Sequence, residues 1–207
     1  MTAAQAELDT LLTTLIRDVP DFPEPGVIFK DIAPLLADHA GFTAVVEALA
    51  EVGRAGEPSV GDDGEAVSGT VDRVGRTTSA TGITRVDKVI GIEARGFILA
   101  APVALALGTG FVPVRKAGKL PGATYTKSYT LEYGEATIEV QQDALNAGDR
   151  VLIVDDVLAT GGTVEATASL VTKAGATVVG VAVLLELGFL AGRDRLADLP
   201  LHALMTV

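Results

Sequence analysis

Apolar residues in the first fifty positions recur at helical spacing. Those between Leu8 and Ile16 return every three or four residues and predict an amphipathic helix near residues 4–18. A second run, Phe42 to Leu49, has the same period and predicts another helix. Between the two, three prolines and a glycine within 20–26 predict an extended, turning path.

Further along the chain, short runs of branched apolar residues alternate with helical patterns. An alternating stretch, Thr137–Val140, predicts a hairpin with Ser128–Tyr133. Strands alternating with helices predict an α/β fold with a mostly parallel, doubly wound sheet flanked by helices. The predicted strands are 89–92, 111–114, 151–154 and 177–185, and the predicted helices run over 96–107 and from about 163 to 174.

Two stretches need a separate interpretation. Gly96 to Val114 carries no charge over 19 residues, but its glycines and Pro113 favour a buried helix and strand over a membrane span. Residues 53–84 hold seven of the 23 glycines with little apolar periodicity. They predict a mobile surface excursion with room for a short hairpin.

Composition narrows the function classes. A chain of 207 residues fits one domain, and the net charge of −11 argues against nucleic-acid and anionic-membrane partners. Without cysteine the chain has no disulfide or thiolate metal site, and with only two histidines a zinc site is not expected. The N-terminus lacks the pattern of a signal peptide, so a soluble, cytoplasmic protein is expected.

The segment from Val151 to Thr163 carries the most specific chemical signal. Four branched apolar residues predict a buried strand that leads into Asp155 and Asp156, then into a Thr/Gly turn and a helix. The turn can direct several N–H groups at one phosphate beside the positive helix N-terminus. Ionised carboxylates accept hydrogen bonds only, which suits a ribose diol. The alternative is a strand, turn and helix cap without a ligand.

Two common nucleotide-binding motifs are absent. Gly118-Lys119 is followed by Leu120, so there is no P-loop. Gly108-Thr109-Gly110 does not complete a dinucleotide-binding fingerprint, because Pro113 occupies its last position. A P-loop NTPase and a dinucleotide-binding fold are therefore not expected.

Five segments together resemble the type I phosphoribosyltransferases, and within that family the branch that acts on adenine. The likeness covers nearly the whole chain except residues 53–84, which it identifies as an insertion. The Val151–Thr163 motif resembles the phosphoribosyl pyrophosphate (PRPP) site of the whole family. The segments are 21–32, 91–97, 114–122, 128–134 and 151–163.

The resemblance implies one domain over 1–207. An N-terminal helix and a hood over the base would occupy about 1–35, and a flexible lid hairpin about 117–137. The implied reaction is purine salvage by pentosyl transfer, in which adenine and PRPP give AMP and pyrophosphate. Mg²⁺ would be carried mainly by PRPP and pyrophosphate, without a dedicated protein metal site. Family members are commonly homodimers.

The resemblance also assigns roles to residues. Glu132 would be the acid/base group and Arg95, after a cis Glu93–Ala94 peptide, a catalytic contact to pyrophosphate. Tyr133 would close the lid. Ile28, Phe29 and Lys30 would bind adenine, although many relatives carry arginine at the position of Lys30. PRPP would be bound by Asp155, Asp156, Ala159, Thr160, Gly161, Gly162, Thr163, Arg95, Arg115, Lys116, Lys119 and Tyr133.

Two alternatives stay open on the sequence. The acceptor could be another purine or orotate, although the hood segment Phe22–Lys30 favours adenine. The chain could instead be a non-catalytic PRPP-sensing regulator. Such a regulator usually has an added DNA-binding domain or a basic face, and neither is seen in this acidic chain.

Overall fold

The computed structural model describes residues 3–54, 70–71, 77–78, 86–130 and 134–207. The chain begins with helix α1 (Ala3–Leu15) and two short antiparallel strands, β1 (Arg17–Pro20) and β2 (Ile28–Asp31). Helices α2 (Ala33–Ala37) and α3 (His39–Arg54) follow. A two-stranded antiparallel pair, β3 (Thr70–Val71) with β4 (Thr77–Thr78), comes next.

A seven-stranded sheet forms the centre of the molecule. Its order is β11-β10-β9-β5-β6-β8-β7, and the first five strands in that order run parallel. Strands β7 and β8 add an antiparallel extension. The elements are β5 (Lys88–Ile92), α4 (Arg95–Ala106), β6 (Gly110–Lys116), β7 (Thr124–Thr130), β8 (Glu135–Gln141), β9 (Arg150–Leu158), α5 (Gly162–Lys173), β10 (Thr177–Glu186), two 3₁₀ helices (Gly188–Leu190, Gly192–Leu196) and β11 (Leu201–Thr206).

Strand β9 separates two hydrophobic cores. Because side chains alternate across a strand, Leu152 and Val154 face the core shared with α1, α3 and α4. Val151 and Ile153 face the other core, with α5. All four are fully buried, so β9 can be apolar on both faces until it reaches the two aspartates.

The structure confirms the predicted α/β class and the parallel sheet. The uncharged stretch forms α4 and β6, as predicted, and Thr137–Val140 lies in a hairpin with β7. A short β3–β4 pair lies within 53–84, and the other residues of that segment beyond Arg54 lie outside the described residues. No helix in the described ranges is long and apolar enough to cross a membrane.

Some boundaries and elements differ from prediction. The first helix ends at Leu15 and not near residue 18, because Arg17 and Asp18 pair with Asp31 and Lys30 of β2 in an antiparallel ladder. Strand β9 continues past the two aspartates to Leu158. Strand β11 and the two 3₁₀ helices were not predicted.

Candidate active site

A cavity of about 360 Å³ lies where the sheet reverses its strand order. From β5 the chain goes to β6 on one side, and from β9 it goes to β10 on the other. Ligands in open α/β sheets bind in the crevice at such a switch point, outside the carboxyl ends of the strands. The cavity is lined by Ile92, Glu93, Ala94, Arg95, Lys116, Tyr129, Ile138, Asp155, Asp156 and Thr163.

Asp155 and Asp156 bring two buried carboxyls to this cavity. The Asp156 N–H donates to Oδ1 of Asp155 at 2.9 Å. Helix α4 packs closely behind, since a Cβ built on Gly96 would lie 2.5 Å from that same Oδ1. A glycine is therefore required at position 96 if the carboxyl is to stay where it is.

Burial shifts the pKa values of the two carboxyls away from those of exposed aspartates. Burial, reinforced by the neighbouring Asp156, raises the pKa of Asp155 well above its ordinary value. Burial also raises the pKa of Asp156, but the positive charge of Arg95 opposes that shift. Asp155 therefore keeps its proton to higher pH than an ordinary aspartate, and in that form its hydroxyl can donate as well as accept.

Arg95 links the carboxyls to the N-terminal strands. It is the first residue of α4, after a cis Glu93–Ala94 peptide that agrees with the resemblance. Its Nε lies 2.8 Å from Oδ2 of Asp156, and its Cζ lies 5.0 Å from the centre of the Phe29 ring. The ion pair is close but poorly aligned: within the described residues, Asp156 Oδ2 accepts no hydrogen bond of good geometry.

The turn between β9 and α5 has the features of a phosphate site. We call residues 159–163 the phosphate cradle. Gly161 has φ +79°, and a Cβ there would lie 2.6 Å from the carbonyl oxygen of Gly192, so both conformation and space require glycine. Helix α5 starts at Gly162. The N–H groups of its first turn lack intrahelical acceptors and can bind an anion.

The 3₁₀ helices at 188–196 pack against the cradle, a contact that sequence reasoning missed. A Cβ built on Gly192 would lie 2.0 Å from the carbonyl oxygen of Ala159. The Arg195 Nη1 would be 3.0 Å from a Cβ on Gly162, and its Nε lies 3.7 Å from Glu165. The glycines at 188 and 192 were the available signal, but glycine alone does not say what it approaches.

The predicted basic cluster is only partly directed at the cavity. Glu93 binds Arg115 Nε at 3.0 Å and Lys119 Nζ at 3.3 Å, and accepts the Lys116 N–H at 3.2 Å. Burial alone would raise the pKa of Glu93, but these three hydrogen bonds hold it below its ordinary value. Of the cluster, the Lys116 side chain lines the cavity with Arg95, while Arg115 and Lys119 are paired beside it.

The N-terminal strands place one predicted base-binding residue near the cavity. Phe29 stacks on Arg95 and meets the edge of Phe22, with ring centres 5.2 Å apart. Ile28 is 59% exposed beside it. The Lys30 ammonium is 2.7 Å from Asp18, so its charge is directed along the β1–β2 ladder.

The hairpin of β7 and β8 covers the cavity from the other side. Its residues Tyr129 and Ile138 line the cavity, and Thr163 Oγ1 donates to the Tyr129 hydroxyl at 3.1 Å. Tyr129 and Ile138 were not predicted as site residues, because an alternating strand pattern does not say which face of the strand meets a ligand. Glu132 and Tyr133 lie outside the described residues, so their assigned roles stay predictions.

Across the part of the chain that the structure describes, no group of three or more histidine, aspartate or glutamate side chains is arranged to hold a metal ion.

Comparison with known proteins decides the family. A model of the phosphoribosyl transferase domain matches residues 77–198. The chain is 61% identical to an adenine phosphoribosyltransferase of a Nocardioides species, over 93% of this chain and 91% of that one. It is 56% identical to that of Streptomyces coelicolor, over 95% of both. The chain belongs to the adenine phosphoribosyltransferase family.

A solved structure supports the same conclusion. The fold is similar to that of adenine phosphoribosyltransferase from Saccharomyces cerevisiae, crystallised with adenine and an imino-altritol bisphosphate. The two are 34% identical with a TM-score of 0.80, over 96% of this chain and 99% of that one. The chain therefore has the type I phosphoribosyltransferase fold, and the similarity covers 96% of its length.

Proposed function

We propose that this protein transfers the 5-phosphoribosyl group of PRPP to adenine, giving AMP and pyrophosphate. The observation that carries the proposal is the pairing of Asp155 and Asp156 with the phosphate cradle at the sheet's switch point. The family relationship, with relatives named for this activity, supports adenine as the acceptor.

The order of the chain fixes how the sugar phosphate would lie in this site, with its phosphate at the cradle and its ribose at the two aspartates. The 5′-phosphate binds the N–H groups of the cradle with the hydroxyls of Thr160 and Thr163. The ribose diol then meets the carboxyls of Asp155 and Asp156 on the preceding strand. Fixing the sugar at both ends holds C1′ in one position, which reduces the entropy cost of the transfer.

The pyrophosphate leaves as the bond to C1′ breaks, and it takes negative charge with it. Arg95 and Lys116 line the cavity and are the cations best placed to receive that charge. Arg115 and Lys119 bind Glu93 next to them. We expect these two to add to the positive field, and to gain phosphate contacts when PRPP competes for their N–H groups.

Adenine approaches from the side of the N-terminal strands. The Phe29 ring offers a flat apolar face, and backbone groups of Ile28 and Lys30 can bind the edge of the base. The Lys30 side chain is held by Asp18, so we assign it no contact to the base. Glu132 is proposed as the acid/base group for the purine, and Tyr133 as a residue that closes the lid.

Mg²⁺ is proposed to enter with PRPP, held mainly by the substrate's own oxygens. The chemistry of the cavity fits this, because the carboxyl oxygens of Asp155 and Asp156 are the kind of ligand that Mg²⁺ prefers. Among the described residues, Oδ2 of Asp156 is buried without a well-aligned hydrogen bond. When bound, the ion neutralises part of the pyrophosphate charge.

We further propose a homodimer and a cytoplasmic location. Helix α4 supports the dimer, since its Ile98 is 45% and its Leu105 81% exposed. Residues seven apart lie on the same helical face, so these two form one apolar strip. A second copy of the chain would cover it.

The activity is tested by incubating the protein with PRPP and Mg²⁺ and each of five bases: adenine, hypoxanthine, guanine, xanthine and orotate. The nucleotides are separated by chromatography. AMP from adenine alone is expected. A nucleotide from another base would keep the reaction and correct the acceptor. PRPP binding without any nucleotide would instead indicate a PRPP-sensing regulator.

A further inference from the structure

Tyr129 stands at the junction of the lid hairpin and the phosphate cradle. Its hydroxyl accepts a hydrogen bond from Thr163 Oγ1 at 3.1 Å, and its ring carbon Cδ2 would lie 3.3 Å from a Cβ on Gly162. The side chain is half-buried and lines the same cavity as the two aspartates. No other tyrosine of the described residues lines that cavity.

The position of Tyr129 is fixed by the way β7 runs along α5. Tyr125, four residues earlier on the same face of the strand, lies with its ring 5.3 Å from Lys173 Nζ at the far end of α5. The strand therefore spans the helix, with one tyrosine at each end. Tyr129 is the one at the N-terminal end, where the helix can bind an anion.

The chemistry of the phenol suits a phosphate. A tyrosine hydroxyl both donates and accepts, and here its accepting side is taken by Thr163. Among the described residues, no acceptor receives the phenol's own proton. A phosphate bound in the cradle would accept the hydrogen bond that Thr163 Oγ1 now donates to Tyr129, and one of the phosphate oxygens would then lie beside the phenol.

We propose that Tyr129 is a binding residue for the 5′-phosphate of PRPP and AMP, donating its hydroxyl to a phosphate oxygen from the lid side. This inference rests on the proposed function and deepens it. It gives the lid hairpin a direct contact to the substrate end that does not react. Because a phosphate oxygen is charged, the loss of one such hydrogen bond weakens binding by about tenfold or more.

The test compares Tyr129→Phe with Tyr125→Phe, which removes a hydroxyl from the same face of the same strand. Calorimetry with ribose 5-phosphate measures phosphate binding, and the KM for adenine at saturating PRPP measures base binding. Tyr129→Phe is expected to weaken ribose 5-phosphate about tenfold with an unchanged KM for adenine. Tyr125→Phe is expected to match the wild type in both.

A second pair of variants separates direct contact from an effect through Thr163. In a Thr163→Val background, Tyr129→Phe should weaken ribose 5-phosphate further, because the phenol binds the phosphate itself. No additional loss in that background would overturn the proposal, as would wild-type binding by Tyr129→Phe or an equal loss in Tyr125→Phe. If wild-type protein forms no AMP and binds no PRPP, the proposed function fails and this inference with it.

Discussion

At the scale of single residues, the buried carboxyl of Asp155 combines function with a cost in stability. Its pKa is raised by burial and by Asp156, so the native state holds this proton more tightly than the unfolded chain does. The resulting contribution is fully present below the ordinary aspartate pKa of 3.8 and is lost as pH rises through the native value. At neutral pH the free energy of unfolding of the unliganded protein is therefore lower than it would be without this buried carboxyl.

Asp155→Asn should relieve this cost while it impairs sugar binding. We expect a higher Tm near neutral pH by at least about 2 °C, the effect of roughly 1 kcal/mol in a domain of this size. The gain should shrink as pH falls toward 4, and PRPP affinity should drop. Thermal unfolding between pH 4 and 8 measures the first effect, with Asp143→Asn at an exposed site as control. A Tm gain that does not depend on pH would contradict this account.

The sequence predicted residue types better than residue pairings. Asp155 and Asp156 lie near the end of β9 and Thr163 lies in the first turn of the helix that follows, so a local pattern was enough to place them together at the cavity. The contact of Arg95 with Phe29 joins positions 66 residues apart, which no local pattern encodes. The binding of Arg115 and Lys119 by Glu93 was missed for the same reason.

At the scale of elements, the cradle depends on the 3₁₀ helices that follow β10. The two backbones meet at glycines, with the carbonyl of Ala159 where a Cβ of Gly192 would be. Strand periodicity predicted β10 as far as Leu185, but a 3₁₀ turn lacks a hydrophobic repeat long enough to detect. Strand β11 was missed because its six residues at a sheet edge, four half-buried and two exposed, give no clear alternation.

Gly192→Ala tests this dependence of the cradle. The added methyl would lie 2.0 Å from the Ala159 oxygen, so one backbone must move. We expect PRPP binding to weaken at least tenfold, measured by calorimetry, while adenine-site residues stay in place. Gly188→Ala is the matched control, because its Cβ would meet the Thr206 methyl at 3.2 Å and the Val207 carbonyl oxygen at 3.6 Å, both outside the cradle. Equal PRPP affinity in both variants would show that the cradle does not need this support.

At the scale of the whole molecule, an acidic chain brings two cations into a cavity that also holds three carboxyl residues. The net charge is −11, yet Arg95, which follows β5 as the first residue of α4, and Lys116, which ends β6, line the same cavity. The net charge of a protein affects which large partners it attracts, whereas the sheet topology decides which side chains lie together in a site. The alternation of strands and helices predicted a mostly parallel, doubly wound sheet, and the motif at 151–163 predicted that the site lies at the carboxyl end of a strand.

We propose that one site at the switch point binds the phosphate, the ribose and the base of the nucleotide. A crystal structure of the protein with AMP tests it most directly. We expect the phosphate on the N–H groups of the cradle, the ribose diol at Asp155 and Asp156, and adenine against Phe29. AMP bound elsewhere, or with its diol turned away from both carboxyls, would contradict it.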